Sequence, residues 1–199
     1  MNDMSMAKLI TRGDILPFDD YAVSRKDRKK ALTEIKKTRR IEVGPHAAFY
    51  FENYETMWHQ IHEMLYIERG GEGQIANELA AYNPLIPQGR ELIATVMFEI
   101  ADPVRRANVL GSLGGIEETM FITVNAEKIA GEAEADVDRT TADGKASAVQ
   151  FVHFSFTDDQ ASAFVAGSAQ VTVGFTHHNY VHAAGMPLTV RNALSEDFD

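Results

Sequence analysis

Residues 91–100, Glu-Leu-Ile-Ala-Thr-Val-Met-Phe-Glu-Ile, read as a β-strand. Leu92, Ala94, Val96, Phe98 and Ile100 recur at period two on one face, while Ile93 and Met97 make the other face mixed. The segments around this strand decide the fold class. Upstream, Arg40–Val43 and Ala47–Phe51 flank Gly44-Pro45, the pattern of two short strands about a turn. Downstream, strands are predicted near 118–125, 147–156 and 170–176. Several of the links between strands hold no convincing crossover helix, which a parallel neighbour requires. The pattern points to an α+β fold in a single domain, with a mixed or largely antiparallel sheet and packed helices, rather than to a doubly wound parallel sheet.

Helices are predicted over 19–38, 56–68, 73–81, 103–113 and 189–194, with a short one running to Val165 behind a cap at Thr157. Gly70-Gly71 is the expected stop of the second. Tyr82-Asn-Pro-Leu-Ile-Pro-Gln-Gly89 cannot continue the third, because its prolines remove donors and constrain their neighbours.

The 199 residues suit one domain, and 45% apolar with 24% charged residues is ordinary for a soluble globular protein. Residues 1–8 are expected to be a disordered N-terminus and 9–199 the domain. With no cysteine, disulfides, thiolate metal sites and a cysteine nucleophile are excluded. No apolar run reaches membrane-span length, and MNDMSMAKLI lacks the apolar core of a signal peptide, so a cytoplasmic protein with no membrane partner is expected. A net charge of −10 disfavours nucleic acid as a partner.

The charge is uneven. Nine basic residues against two acids between Arg25 and Arg40 give that window +7. They lie on the first predicted helix, whose apolar line is Tyr21, Leu32 and Ile35, with Arg28 close to it. Either a solvated helix face or a patch for an anionic ligand or acidic partner fits. The opposite extreme runs between Asp159 and Arg191, where no Asp, Glu, Lys or Arg occurs. A stretch so free of charge belongs to a core, an interface or a pocket wall.

Candidate site residues fall on two segments. On helix 56–68, Met57, Ile61, Met64 and Leu65 form the apolar stripe, and Glu68 projects onto it, so its carboxylate needs a partner. His59 and Glu63 sit at i and i+4 and could chelate a metal with a third ligand from elsewhere; the two-histidine zinc motifs are absent. In His177-His-Asn-Tyr-Val-His182, an extended backbone would put His178, Tyr180 and His182 on one face. Imidazoles plus a carboxylate are a common ligand set for zinc or iron. His153 is read as a satisfied core residue. The 138–147 loop lacks the Walker pattern but offers Arg139 and Lys145 to an anion.

Several phrases together carry a resemblance: Glu63-Met-Leu with Ile67-Glu-Arg69, Ala81-Tyr-Asn-Pro-Leu-Ile-Pro-x-Gly89, Glu91-Leu-x-Ala-Thr-Val-Met-x-Glu99, Gly115-Ile-Glu117, the 136–147 stretch and His177-x-Asn-Tyr180. The chain resembles a bacterial family catalogued as a domain of unknown function, number three-five-zero-one in its series, over nearly its whole length. The resemblance brings no activity with it. Genes of that family often lie near rubrerythrin-like and iron–sulfur proteins, which implies a link to redox or oxidative-stress physiology and a redox-protein partner. Gln150 stands where the family pattern has a strand histidine, and His178 where it has proline, so a family site built on that strand histidine would be lost here. The shared phrases imply a common pocket where Glu63, Glu68, Arg69, Tyr82, Asn83, Arg139 and Lys145 meet His177.

Three functional expectations follow. The leading one is a non-enzymatic accessory or binding protein that forms a homo-oligomer. The alternative is a metal-dependent enzyme or metal-binding protein holding zinc or iron through His177, His178, His182 or His59 with Glu63. The third is an anionic ligand held by Arg139, Lys145 and Arg69 behind the proline loop.

Overall fold

The structure is a computed structural model that describes residues 8–134, 140–142 and 144–198. It is α+β. In chain order the elements are α1 (Phe18–Lys37), β1 (Arg40–Val43), β2 (Ala47–Phe51), α2 (Tyr54–Glu68), α3 (Glu72–Tyr82), β3 (Glu91–Phe98), α4 (Pro103–Gly111), β4 (Met120–Val124), β5 (Glu127–Ala130), β6 (Glu132–Ala133), β7 (Val149–Ser155), α5 (Asp158–Val165), β8 (Val171–His177), β9 (Tyr180–Gly185) and α6 (Leu188–Ser195). Among the described residues no helix is long and apolar enough to cross a membrane.

The strands form two sheets, ordered β1-β2-β3-β7-β6 and β5-β4-β8-β9, and every pairing is antiparallel. The missing crossover helices foretold this. β3 is the strand read from the sequence, and its two faces serve two cores. Leu92, Ala94, Val96 and Phe98 meet the second sheet, packing with Ile122, Val173 and Phe175. Ile93 faces the other way, into a smaller core with Met57, Ile61 and Ile75 from α2 and α3. The molecule therefore stacks as α2 and α3, first sheet, second sheet, with α4, α5 and α6 packed into the larger core. Burial of these alternating side chains is the main stabilising term, at roughly 25 cal/mol per Å² of apolar surface.

Local chemistry fixes the ends of the elements. Asn53 Oδ1 accepts from the Thr56 N–H at the start of α2, and Thr157 does the same for Gln160 at the start of α5. The stop of α2 differs from expectation: Arg69, not a glycine, takes the left-handed position, with φ 55°. The β4–β5 turn also uses a non-glycine there, Asn125 at φ 56°, a residue type that tolerates this conformation.

Side chains stitch distant segments together. Asn83 Oδ1 accepts from the Ile10 N–H and Asn83 Nδ2 donates to the Ile10 carbonyl, at 2.8 and 2.9 Å. Lys8 donates its N–H to Gln88 Oε1 and its ammonium to the Asp197 carbonyl. Arg39, buried behind α1, donates to the Phe51 and Glu52 carbonyls and to the Asp197 carboxylate. Four of the nine cations between residues 25 and 40 are ion-paired, so the basic window is only partly a solvated face.

Candidate functional site

The richest cluster of chemical groups lies in the seam between α1 and α2. Glu63 projects from α2 toward α1, where Arg25 Nε and Nη2 each donate to one of its oxygens at 2.7 Å. Tyr21 Oη donates to the same carboxylate at 2.8 Å. The Arg25 guanidinium, aided by the Tyr21 hydroxyl, holds the Glu63 carboxyl down at about 2. Burial, reinforced by the adjacent carboxylate, pushes the Tyr21 phenol up.

Below this clamp, His62 is bonded through both ring nitrogens. Nδ1–H donates to the Trp58 carbonyl at 2.7 Å, and Nε2 accepts the Leu16 N–H at 3.0 Å. These partners select the neutral tautomer, and burial pushes its pKa down. His59, one turn earlier, is buried with its Nε2 unpartnered among the described residues, and burial pushes it down as well. It lines a groove of about 320 Å³ beside Arg28, whose guanidinium lies 4.5 Å over the Trp58 ring.

A second cavity, of about 430 Å³, opens at the far end of the seam, between the chain before α1, the end of α2 and the start of α3. Leu16, Leu65 and Ile75 give it an apolar wall, and Phe18 and Tyr66, stacked at 5.2 Å, an aromatic one. Two arginines stand beside it. Arg12 is already paired with Glu72, at 2.6 Å. The Arg69 backbone N–H donates to the Leu65 carbonyl at 3.1 Å, while its guanidinium rests over the Phe18 ring at 5.4 Å and makes no hydrogen bond or ion pair among the described residues. Its left-handed backbone costs roughly 1–2 kcal/mol for a residue with a Cβ. Neither Pro17 nor Gly71, at the starts of α1 and α3 beside the cavity, supplies a side-chain cap.

The residues singled out in the sequence do not share one pocket. Glu63 belongs to the α1–α2 clamp and Arg69 to the cavity beyond it. Glu68 is exposed and accepts from Gln74 Nε2 at 2.8 Å, because α2 has run past the sheet by that turn. The Tyr82 hydroxyl lies 3.5 Å from Gln60 Nε2. Both amide atoms of Asn83 bond the Ile10 backbone, away from the cavity beside Arg69. Lys145 is exposed on a turn closed by Thr141. Arg139 lies outside the described residues. Among the described residues of the expected anion set, Arg69 is the one that lines a cavity with apolar walls.

The expected metal set is likewise dispersed. His59 and Glu63 lie in the helical layer, whereas His177, His178 and His182 lie on the β8–β9 hairpin of the second sheet. His177 Nε2 hydrogen-bonds the Gly114 carbonyl at 3.1 Å, His178 sits exposed in the turn, and the His182 ring packs against Gly44. The alternation expected for an extended 177–182 is broken by that turn. Among the described residues no group of three or more His, Asp or Glu side chains is placed to hold a metal ion. The first sheet separates the two segments, which corrects the expectation that acids from α2 meet the late imidazoles.

Sequence reading missed a different pair. His153 is not a lone core residue: its Nδ1 lies 2.8 Å from Glu91 Oε1, and both line a shallow cleft with Leu9, Leu79 and Ile86. The Glu91 carboxylate pushes the imidazole up, with Glu134 and Glu132 adding to it. The signal lay in register: Glu91 and His153 share a face one step apart across the β3–β7 ladder.

A family model described as "Protein of unknown function (DUF3501)" matches residues 9–198. The crystal structure of a novel protein of unknown function from Burkholderia pseudomallei K96243 superposes with a TM-score of 0.89. It is 34% identical, and the match covers 98% of this chain and 100% of that one. No curated protein matches.

Proposed function

The chain belongs to the DUF3501 family of proteins of unknown function, and we propose that it is a non-enzymatic binding protein for a small organic anion, seated in the cavity beside Arg69. One observation carries this reading: a guanidinium without a carboxylate partner among the described residues stands over an apolar cavity of about 430 Å³, within the usual range for small-ligand sites. Arg69 would hold a carboxylate or phosphate with a pair of N–H donors. Leu65, Ile75 and the Phe18–Tyr66 stack would cover the ligand's apolar body. The strained backbone at Arg69 supports the same reading, since strain concentrates where a side chain must be aimed.

Binding rather than catalysis is favoured by how the nearby reactive groups are used. Both nitrogens of His62 are bonded, and Tyr21 and Glu63 are locked together with Arg25. No free base faces the cavity from these residues.

Thermal unfolding against a panel of aliphatic and aromatic carboxylates and phosphoesters tests the proposal. A ligand at about 100 times its dissociation constant adds about 2.7 kcal/mol, which raises Tm by roughly 5–10 °C at this size. Arg69→Met should abolish the rise. Flat melting curves across the panel, or shifts that survive in Arg69→Met, would remove the assignment.

A further inference from the structure

We propose that β9 is a self-association edge, pairing antiparallel with β9 of a second copy of this chain about a two-fold axis. The two sheets have four edge strands: β1, β6, β5 and β9. Natural sheets guard their edges with charge, proline or shortness. β1 carries Arg40 and Glu42, β5 carries Glu127 and Lys128, and β6 is two residues long and includes Glu132. β9 has none of these guards. It is six residues long, Tyr-Val-His-Ala-Ala-Gly, inside the stretch between Asp159 and Arg191 that holds no Asp, Glu, Lys or Arg.

Its backbone is open for pairing. The two-residue turn His178-Asn179 makes His177 and Tyr180 a hydrogen-bonded pair, and the register then alternates along the hairpin. The bond from the Met186 N–H to the Val171 carbonyl, at 2.8 Å, keeps that phase. Val181, Ala183 and Gly185 are therefore left with N–H and C=O groups pointing away from β8. None of the three makes another backbone hydrogen bond among the described residues, and all three are exposed.

The pattern suits an identical partner. With the two-fold axis at Ala183, Ala183 faces Ala183 of the second copy, and Val181 faces Gly185 in both directions. Each such pair can exchange two backbone bonds, and the valine covers the position where glycine has no side chain. Two molecules of net charge −10 meet with least repulsion across an uncharged edge. Val181 and Leu188, 68% and 59% exposed, add an apolar rim.

Sedimentation analysis of the full chain, up to about 100 µM because strand-edge interfaces are small, tests this. The wild type should show twice the mass of the 22.1 kDa chain. Val181→Lys should be monomeric at the same concentration with an unchanged circular dichroism spectrum. Ala183→Pro, which removes an N–H that points away from β8, should behave alike. Arg69→Met should remain dimeric, so that failure of the ligand site and failure of this edge are told apart. A monomeric wild type overturns the proposal, as does a dimer that persists in both edge variants.

Discussion

Tyr21 on α1 donates its hydroxyl to Glu63 on α2, on the carboxylate that Arg25 already grips with two N–H groups. A single acid thus docks the basic helix, with Tyr21 itself only 2% exposed. The clamp also fixes one wall of the cavity beside Arg69, because Tyr21 lines it.

Glu63→Gln should destabilise the fold by about 2–3 kcal/mol, the range for charge-assisted hydrogen bonds. The Glu63 carboxyl sits at about 2 when folded, below its ordinary 4.5. Its stabilisation is therefore complete above 4.5 and fades as pH falls toward 2. Urea titrations should show wild type and variant separated at pH 7 and converging below pH 4.5.

The histidines should give opposing pH effects. His59 and His62 are pushed below 6.5 by burial. The unfolded chain then takes up those protons first, and stability falls as pH drops below 6.5. Glu63, Lys36, Lys29 and Arg25 act on His59, and Arg28 on His62. His153 is raised by Glu91, so its contribution is present below 6.5 and is lost as pH rises through its folded value. Melting profiles between pH 5 and 8 should flatten on the acid side in His59→Gln and lose the opposing gain in His153→Gln.

Arg39→Met should cost about 3–5 kcal/mol, because it leaves the buried Asp197 without its direct charge partner. Asp197 is already pushed up by burial, and Arg39 is the main group opposing that. The double replacement Arg39→Met with Asp197→Leu should recover most of the loss in chemical denaturation.

Arg69→Gly should stabilise the ligand-free protein by about 0.5–1 kcal/mol, since glycine accepts a positive φ without strain. The same change should remove the response to organic anions. A variant that loses stability would show that the Phe18 contact outweighs the backbone strain.

How much of this was legible follows from how local each signal is. β3 could be read because five apolar residues alternate over ten positions, and its neighbours followed from turn chemistry. β9 was hidden. Three histidines in six residues drew attention to metal chemistry, and Ala183-Ala184-Gly185 lacks the β-branched residues that mark strands. β5 and β6 are short and charged, so neither alternates. The helix that carries His59 and Glu63 and stops at Arg69 was identified, but not what those residues do. Arg25 lies 38 positions from Glu63, and Glu91 lies 62 from His153. Such pairings are set by packing, and no spacing within either segment announces them. Glu68 was misplaced because helical periodicity says which face a residue occupies, not whether the helix still covers the sheet at that turn.

The two-sided burial of β3 has a kinetic counterpart. Its amides are shielded by the opposing sheet on one side and by α2 and α3 on the other, so they should exchange with deuterium only through global unfolding. α2 and α3 share the smaller of the two cores and should open separately while the paired sheets persist. A molecule lodged at Arg69 would slow exchange in α1, α2 and α3 first, which would report its arrival without any change in the sheets.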